Sequence, residues 1–324
     1  MTAGKAALVL NIGRDADAAG LGPGRLVDPQ APPAPGPSAG VPMIGVHDPG
    51  VARLFDSLPA GPAPVEGPGR ARVTAHLDPP GRQPARLRNV VGLLRGSDPA
   101  LKETYVMVTA HYDHVGVRGP AGTDRIYNGA NDDGSGTVSV IELAAALATL
   151  KERPRRSLLF VTFFGEEKGL LGSRHYGRHP VVPIERTVAD VNLEQVGRTD
   201  STEGPQVATA SLTGFGFSDV STVFAAAGQA EGVRVYKHPT HSDAYFGASD
   251  NQALADLGVP AHTLCVAFQY PDYHGPADHW EKVDYANMAR VDRMVGRALL
   301  TIADDPAEPR WDESNPKAAK YLKA

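Results

Sequence analysis

From residue 86 onward, short apolar runs alternate with amphipathic stretches, and this alternation restricts the fold more than any other feature. The apolar runs predict strands at 89–94, 104–110, 157–164, 188–193 and 261–268. The amphipathic stretches predict helices at 137–151, near 218–228 and at 287–302. Strands that alternate with helices are typical of an α/β fold with a mostly parallel or mixed sheet. The unit from 104 to 164 has the length of a right-handed crossover between parallel strands.

Two finer expectations concern the core. In helix 137–151 one apolar stripe is formed by Val138, Ile141, Ala145 and Ala148. The single cysteine, Cys265, lies in the apolar run 261–268, so we expect a small buried hydrophobe there. One cysteine also excludes any disulfide within the chain.

The front of the chain has a different texture, since its prolines concentrate at 21–42 and 59–84. Between these loops we predict short strands at 6–12 and 41–46 and a short helix at 50–58. Residues 1–70 are therefore expected to form a small, incomplete αβ unit, followed by a large domain at 71–310. The remaining tail, 311–324, is charged and is predicted to be a surface segment.

Charge and hydropathy exclude several classes of partner. The net charge is −5 and the sequence contains no run of lysine or arginine, so we expect no nucleic-acid partner. No apolar stretch approaches the ~18 residues of a membrane span. Near the amino terminus, Arg14 and Asp15 interrupt the apolar run too early for a signal peptide.

Polar residues follow the predicted strands directly. His111 follows the strand 104–110, Glu166 and Glu167 follow 157–164, and Glu194 and His274 follow later strands. The loop 129–136, which opens the crossover helix, returns Asp132 to the same edge. Because ligands bind at the carboxyl ends of strands in open α/β sheets, we expect these side chains to converge.

Imidazole and carboxylate groups that converge in this way suit zinc. One carboxylate beyond the ligand set could act as a base. In His111-Tyr112-Asp113, positions i and i+2 lie on one side of an extended segment, so Asp113 could accept the second ring N–H of His111.

Four segments have a family likeness: A-H-Y-D-H at 110–114, G-A-N-D-D-G-S-G at 129–136, F-G-E-E-K-G-L-L-G-S at 164–173 and D-Y-H at 272–274. They resemble the co-catalytic zinc aminopeptidases, a group related to glutamate carboxypeptidase and the transferrin receptor. The likeness covers about residues 86–302. It implies an α/β fold of the zinc-exopeptidase type, with a mixed, mostly parallel central sheet and helices on both faces.

Position by position, the resemblance implies two zinc ions per chain. Asp132 would bridge them, His111 and Glu194 would complete one site, and Glu167 and His274 the other. Glu166 would be the general base. Apart from the resemblance, Tyr273 could donate to the developing oxyanion or could be a packing aromatic. Only the alignment with the family motifs selects Asp132 rather than Asp133 as the bridging ligand. The same alignment selects Glu166 rather than Glu167 as the general base. Position 194 carries Glu where the family most often has Asp.

The resemblance also implies a metallo-aminopeptidase that acts on peptide or aminoacyl substrates in a secreted or periplasmic setting. Carboxypeptidase or glutaminyl cyclase chemistry could use the same site, and transferrin-receptor-like relatives keep the fold for binding alone. The residues G-K-A-A-L-V-L at 4–10 and V-P-M-I at 41–44 resemble part of a protease-associated domain. The oligomeric state is left open, a homo-oligomer included.

Overall fold

The structure, a computed structural model, describes residues 9–12, 26, 28, 30, 43–46, 83–119 and 123–323. The chain forms two compact units, Met1–Arg86 with Arg118–Thr123 and Leu87–Val117 with Asp124–Ala324. In the first unit β1 (Val9–Ile12) pairs in parallel with β2 (Met43–Val46), which confirms both predicted strands. The helix predicted at 50–58 lies outside the described residues. The protease-associated likeness of residues 1–70 stays a prediction.

The second unit contains the remaining strands and all the described helices. The strands are β3 (Val90–Leu94), β4 (Tyr105–His111), β5 (Gly116–Val117), β6 (Ile126–Tyr127), β7 (Ser157–Phe163), β8 (Thr187–Leu193), β9 (Thr209–Leu212), β10 (Arg234–Tyr236) and β11 (Ala261–Cys265). The helices are α1 (Gly136–Ala148), α2 (Leu171–Arg178), α3 (Val220–Glu231), α4 (His241–Ala244), α5 (Asn251–Ala255) and α6 (Tyr285–Asp304).

The main sheet has seven strands in the order β10-β9-β11-β8-β4-β7-β3. The four central strands β11, β8, β4 and β7 run parallel to one another. Strand β3 pairs antiparallel with β7, and β9 pairs antiparallel with β11. The sheet is therefore mixed and mostly parallel, and the crossover from β4 through α1 to β7 is confirmed.

Helices cover both faces of this sheet, as expected. Alternate residues of β4 enter different cores because successive side chains of a strand point to opposite faces. Val106 and Val108 join a core with α1, α3 and α6, whereas Met107 joins one with α2 and α5. Cys265 is buried at the end of β11, which confirms its predicted place in the core.

The predicted stripe on α1 is wrong. Val138 and Ile141 are 46% and 56% exposed, and the buried face carries Gly136, Ser139, Val140, Leu143 and Leu147. This helix is apolar on several sides, so helical periodicity alone does not determine which side meets the sheet.

The tail also departs from expectation, because its aromatic residues are buried. Trp311 donates its ring N–H to the carbonyl of Gly258 at 2.8 Å and stacks on Tyr321 with ring centroids 5.0 Å apart. Both rings belong to the core that contains α5. Aromatic burial thus outweighs the charged character of the segment, which is not merely a surface extension. Among the described residues no helix has the length and apolar character needed to cross a bilayer.

Candidate metal centre

The carboxyl ends of β4, β7, β8 and β11 lie at one edge of the sheet because these strands are parallel neighbours. A cavity of about 370 Å³ opens at this edge. Its lining includes Asp132, Glu166, Glu167, Glu194 and His274. His111, the last residue of β4, lies fully buried next to Asp132. The structure therefore brings together every residue that the sequence analysis proposed as a metal ligand.

The loop 129–136 is fixed by its own polar groups. The Asp133 carboxylate accepts backbone N–H groups from Gln195 at 3.1 Å, Gly136 at 3.2 Å and His111 at 3.3 Å. Asp133 thereby joins the loop to the ends of two strands, β4 and β8. Its oxygens are used by backbone donors, which leaves the neighbouring Asp132 to face the cavity.

Asp132 presents its two oxygens to two different histidines. Oδ1 lies 3.3 Å from Nε2 of His111, and Oδ2 lies 3.0 Å from Nε2 of His274. The two histidines come from separate strand ends, so Asp132 stands between two groups of potential ligands. This is the arrangement that a carboxylate bridging two cations requires.

The two adjacent glutamates face different surroundings. Oε1 of Glu167 lies 3.0 Å from Nδ1 of His114 and 3.3 Å from Nε2 of His274. Oε2 of Glu166 comes no nearer than 4.0 Å to Nε2 of His111. Glu167 is therefore embedded among ring nitrogens, whereas Glu166 lines the cavity with little direct contact to them.

Asp113 connects the end of β4 to the turn that carries Glu166. The ring Nδ1 of His111 lies 2.9 Å from the backbone carbonyl oxygen of Asp113 and 3.7 Å from its carboxylate. The carbonyl is thus the acceptor, where the sequence analysis expected the carboxylate. The carboxylate instead accepts the backbone N–H groups of Gly165 at 2.7 Å and Glu166 at 3.1 Å.

Negative charge dominates the electrostatics of the cavity. Burial raises the pKa of Glu166 to about 10, and the carboxylate of Glu194 adds to the rise. Burial also raises the pKa of Glu194 to about 7. The adjacent carboxylates of Asp132 and Glu167 raise the pKa of His274 to about 9. The histidines lower the pKa of Asp132 and Glu167, so the burden of extra protons falls on Glu166 and Glu194, and a bound cation would favour the ionised forms of these two.

The ligand atoms themselves fit a divalent metal. Two groups hold their atoms within 4.8 Å of one another: His111 with Asp132 and Glu194, and His114 with Asp132 and Glu167. Several of these atoms are buried with no hydrogen-bond partner among the described residues: His111 Nε2, Glu167 Oε1, Glu194 Oε2 and both ring nitrogens of His114. Unpartnered buried polar atoms are costly, and coordination of a cation would satisfy them. Imidazole and carboxylate ligands suit zinc.

Tyr273 lies at the mouth of the cavity, 44% exposed, and its ring stacks on that of His274 with centroids 4.0 Å apart. Burial of the hydroxyl and the nearby carboxylates raise its pKa, so the group stays protonated and able to donate. Tyr245, Phe268, Thr213 and Ser249 also line the cavity.

Two residues of the centre were not predicted from the sequence. His114 was not proposed as a ligand, although it follows His111 by three residues in the same loop. Asp278 follows His274 by four residues and is buried. Its Oδ2 accepts backbone N–H groups from Asn131 at 2.9 Å and Asp132 at 3.2 Å, together with the hydroxyl of Tyr270 at 3.0 Å. Its signal was a lone aspartate close after a proposed ligand.

A third cluster of metal-ligand types lies apart from this centre and comprises Glu203, His238 and His241. Nε2 of His238 lies 2.7 Å from one oxygen of Glu203, and Nε2 of His241 lies 3.0 Å from the other. Backbone N–H groups of Thr240 and His241 donate to Nδ1 of His238 at 3.2 and 3.1 Å. Because Nδ1 is then an acceptor, the ring proton of His238 sits on Nε2 and is donated to Glu203.

Comparison with known proteins adds a family match. The model of peptidase family M28 matches residues 89–299. Aminopeptidase YwaD of Bacillus subtilis is 34% identical over 111 residues, which cover 34% of this chain and 22% of that protein. A vacuolar membrane protease of Aspergillus niger is 29% identical over 245 residues, which cover 68% of this chain and 22% of that protein.

Solved structures agree with the fold described above. The aminopeptidase from Aneurinibacillus sp. strain AM-1 matches with a TM-score of 0.54 and 28% identity, covering 68% of this chain and 48% of that one. Glutaminyl cyclase from Porphyromonas gingivalis shares the fold, with a TM-score of 0.51 and 20% identity over 65% of this chain and 76% of its own. The chain spans less than half the length of YwaD, the Aspergillus protease and the Aneurinibacillus enzyme.

Proposed function

Because the chain belongs to peptidase family M28, we propose that it is a zinc-dependent exopeptidase that removes the N-terminal residue from peptides. The observation that carries this proposal is the placement of Asp132, one oxygen of which lies beside His111 and the other beside His274. Such a placement serves a pair of cations rather than one.

The proposed ligands follow from these contacts. His111, Asp132 and Glu194 would hold one zinc ion, and Asp132, Glu167 and His274 would hold the other. The contacts around each pair of adjacent acidic residues support the choice of Asp132 over Asp133 and of Glu167 over Glu166 as ligands. Asp133 is occupied by three backbone N–H groups, and Glu166 stands further from the ring nitrogens than Glu167 does.

Zinc lowers the pKa of a bound water towards neutrality and so supplies hydroxide at working pH. Glu166 lines the cavity and would take the proton of the attacking water, then pass it to the nitrogen of the leaving amine. Asp113 holds the turn that carries Glu166 through two backbone N–H groups. The Tyr273 hydroxyl would donate to the oxyanion that forms on the scissile carbonyl.

The charge of the cavity supports a substrate with a free amino group. Four carboxylates line it, those of Asp132, Glu166, Glu167 and Glu194, and its described lining includes no lysine or arginine. A protonated or metal-facing amino terminus complements such a wall, whereas a substrate carboxylate would be repelled. The proposed substrates are therefore peptides or aminoacyl compounds. A secreted or periplasmic location is part of the proposal and rests on the family likeness.

The test combines metal analysis of the purified chain with hydrolysis of a panel of aminoacyl chromogenic substrates. We expect about two zinc equivalents, loss of hydrolysis after chelation and recovery when zinc is added. Hydrolysis only of peptides with a blocked amino terminus would indicate a carboxypeptidase. Release of ammonia from N-terminal glutamine, with one zinc per chain, would indicate a cyclase. Full hydrolysis with no metal present would reject the proposal.

A further inference from the structure

His114 lies within the metal centre, although the family likeness gives it no role. Its side chain is only 8% exposed. Nδ1 lies 3.0 Å from Oε1 of Glu167 and 3.9 Å from Oδ2 of Asp132, the same two oxygens that Nε2 of His274 approaches. The two imidazole rings meet edge to face with centroids 5.5 Å apart. Two histidines therefore approach one pair of carboxylate oxygens.

The direction of the His114 ring is informative. Although Nδ1 is 3.0 Å from Glu167, it makes no hydrogen bond to that oxygen, so its in-plane direction passes beside Oε1. Nε2 of His111 behaves in the same way at 3.3 Å from Asp132. Nitrogen atoms that lie near carboxylate oxygens without pointing at them are typical of ligands that converge on a common point between them.

The backbone holds His114 in this position. Gly129 has φ +64°, and a Cβ at that residue would come within 2.6 Å of Cγ and 2.8 Å of Cβ of His114. The ring of His114 therefore packs against Gly129. A larger residue is disfavoured at position 129 both by the positive φ and by the lack of space for a side chain. Gly129 belongs to the same loop as Asp132, so one segment supplies a ligand and fixes a second histidine beside it.

We propose that His114 is an additional ligand of the second metal, through Nδ1, together with Asp132, Glu167 and His274. This inference rests on the proposed function, because it concerns the same pair of zinc ions. It makes the two sites unequal, with one imidazole at the site of His111 and two at the site of His274. The second site should consequently hold its metal more tightly than a site with a single imidazole.

The test is His114→Asn, with His175→Asn as a matched control because His175 is exposed on α2. Zinc titration of each protein gives the affinity of both equivalents. Loss of an outer hydrogen-bond partner weakens a metal site by roughly 10–100-fold. We expect His114→Asn to lower the affinity for one zinc equivalent by more than this factor. The control variant should leave the affinity for both equivalents unchanged.

A spectroscopic count of the ligands does not depend on any variant. In the cobalt-substituted wild type, ring protons of directly bound histidines give strongly shifted NMR signals, and we expect signals from three imidazoles. Signals from only two would overturn the inference and leave the proposed function intact, whereas failure of the wild type to bind any metal would overturn both. Unchanged affinity of both zinc equivalents in His114→Asn would also reject the inference.

Discussion

Two clusters in this protein are built from the same residue types, yet their atoms are arranged in different ways. In the metal centre, ring nitrogens of His111 and His114 are buried close to carboxylates without forming hydrogen bonds to them. In the cluster of Glu203, His238 and His241, both ring Nε2 atoms form hydrogen bonds to the two oxygens of the glutamate. The first arrangement leaves lone pairs for a cation, and the second uses them within the protein.

From this contrast we infer that ligand type and proximity alone do not make a metal site. What distinguishes the centre is a set of buried ring nitrogens and carboxylate oxygens that have no hydrogen-bond partner among the described residues. The Glu203 cluster is also partly open, since the side chain of Glu203 is 40% exposed. Solvent can therefore complete its hydrogen bonding.

The first prediction separates chemistry from binding inside the centre. Glu166→Gln removes the proposed base but no proposed ligand, so turnover should fall by roughly 10²–10⁴-fold while zinc content stays near that of the wild type. Glu167→Gln should instead lose zinc, because its Oε1 lies among the ring nitrogens. Steady-state kinetics and elemental analysis of both variants provide the measurement. The reverse pattern would show that the two glutamates have exchanged roles.

The second prediction uses a buried histidine whose nitrogens are both partnered. His262 is fully buried, with Nδ1 2.8 Å from the carbonyl oxygen of Thr213 and Nε2 2.6 Å from the hydroxyl of Ser218. Burial lowers its pKa from 6.5 to about 4. The neutral ring therefore stabilises the fold fully above pH 6.5, and this stabilisation is lost as the pH falls towards 4.

This difference between the pKa of His262 in the unfolded and folded states corresponds to about 3 kcal/mol in the free energy of unfolding. Urea unfolding of the wild type and His262→Gln between pH 7 and pH 4 should give a shallower pH dependence for the variant, whatever its stability at pH 7. Effects of all other titrating groups are shared and cancel in the comparison. Parallel curves for the two proteins would mean that His262 is not held neutral.

Some parts of the fold and the site could be predicted from the sequence and others could not. The strand ends that carry His111, Glu166 and Glu194 were predictable, because continuous apolar runs identify buried parallel strands and their carboxyl ends share an edge. Strands β9 and β10 were not predicted, since they have only four and three residues and no long apolar run. The buried face of α1 was predicted wrongly because several sides of that helix are apolar.

His114 and Asp278 escaped prediction for a different reason. Their roles depend on contacts across many positions of sequence, such as the 146 residues that separate Asp278 from Asp132. Local spacing places both residues close to a proposed ligand, but it contains no information about which distant residues they contact. Burial of Trp311 and Tyr321 was missed likewise, because their partners lie around α5 and Gly258.

The third prediction concerns Asp278, whose Oδ2 accepts hydrogen bonds from the loop that carries Asp132. Asp278→Asn keeps one oxygen but brings an amide N–H₂ close to Arg198, whose Nη1 lies 3.6 Å from Oδ1 of the native aspartate. The backbone of Asn131 and Asp132 should then be held less firmly, and zinc affinity should fall by roughly 10–100-fold. Asp272→Asn is the matched control, because Asp272 also pairs with Arg198 at 3.0 Å but does not contact that loop. A zinc affinity of Asp278→Asn equal to that of the wild type would remove Asp278 from the centre.

The last prediction bears on the Glu203 cluster, where the expected effect is smallest. Glu203→Gln replaces a double acceptor by a group with one acceptor and one donor, so one of the two Nε2–H groups loses its partner. A net hydrogen bond contributes about 1 kcal/mol, and the exposure of Glu203 lets water recover part of the loss. Urea unfolding should therefore show a decrease in stability of about 1 kcal/mol or less. The number of zinc equivalents should not change, since in our interpretation the cluster's ring nitrogens and carboxylate are already satisfied. The contrary result would be a further zinc ion bound by the wild type and lost in Glu203→Gln. It would show that a metal can bind these histidines despite their hydrogen bonds, and that the two clusters do not differ in the way described.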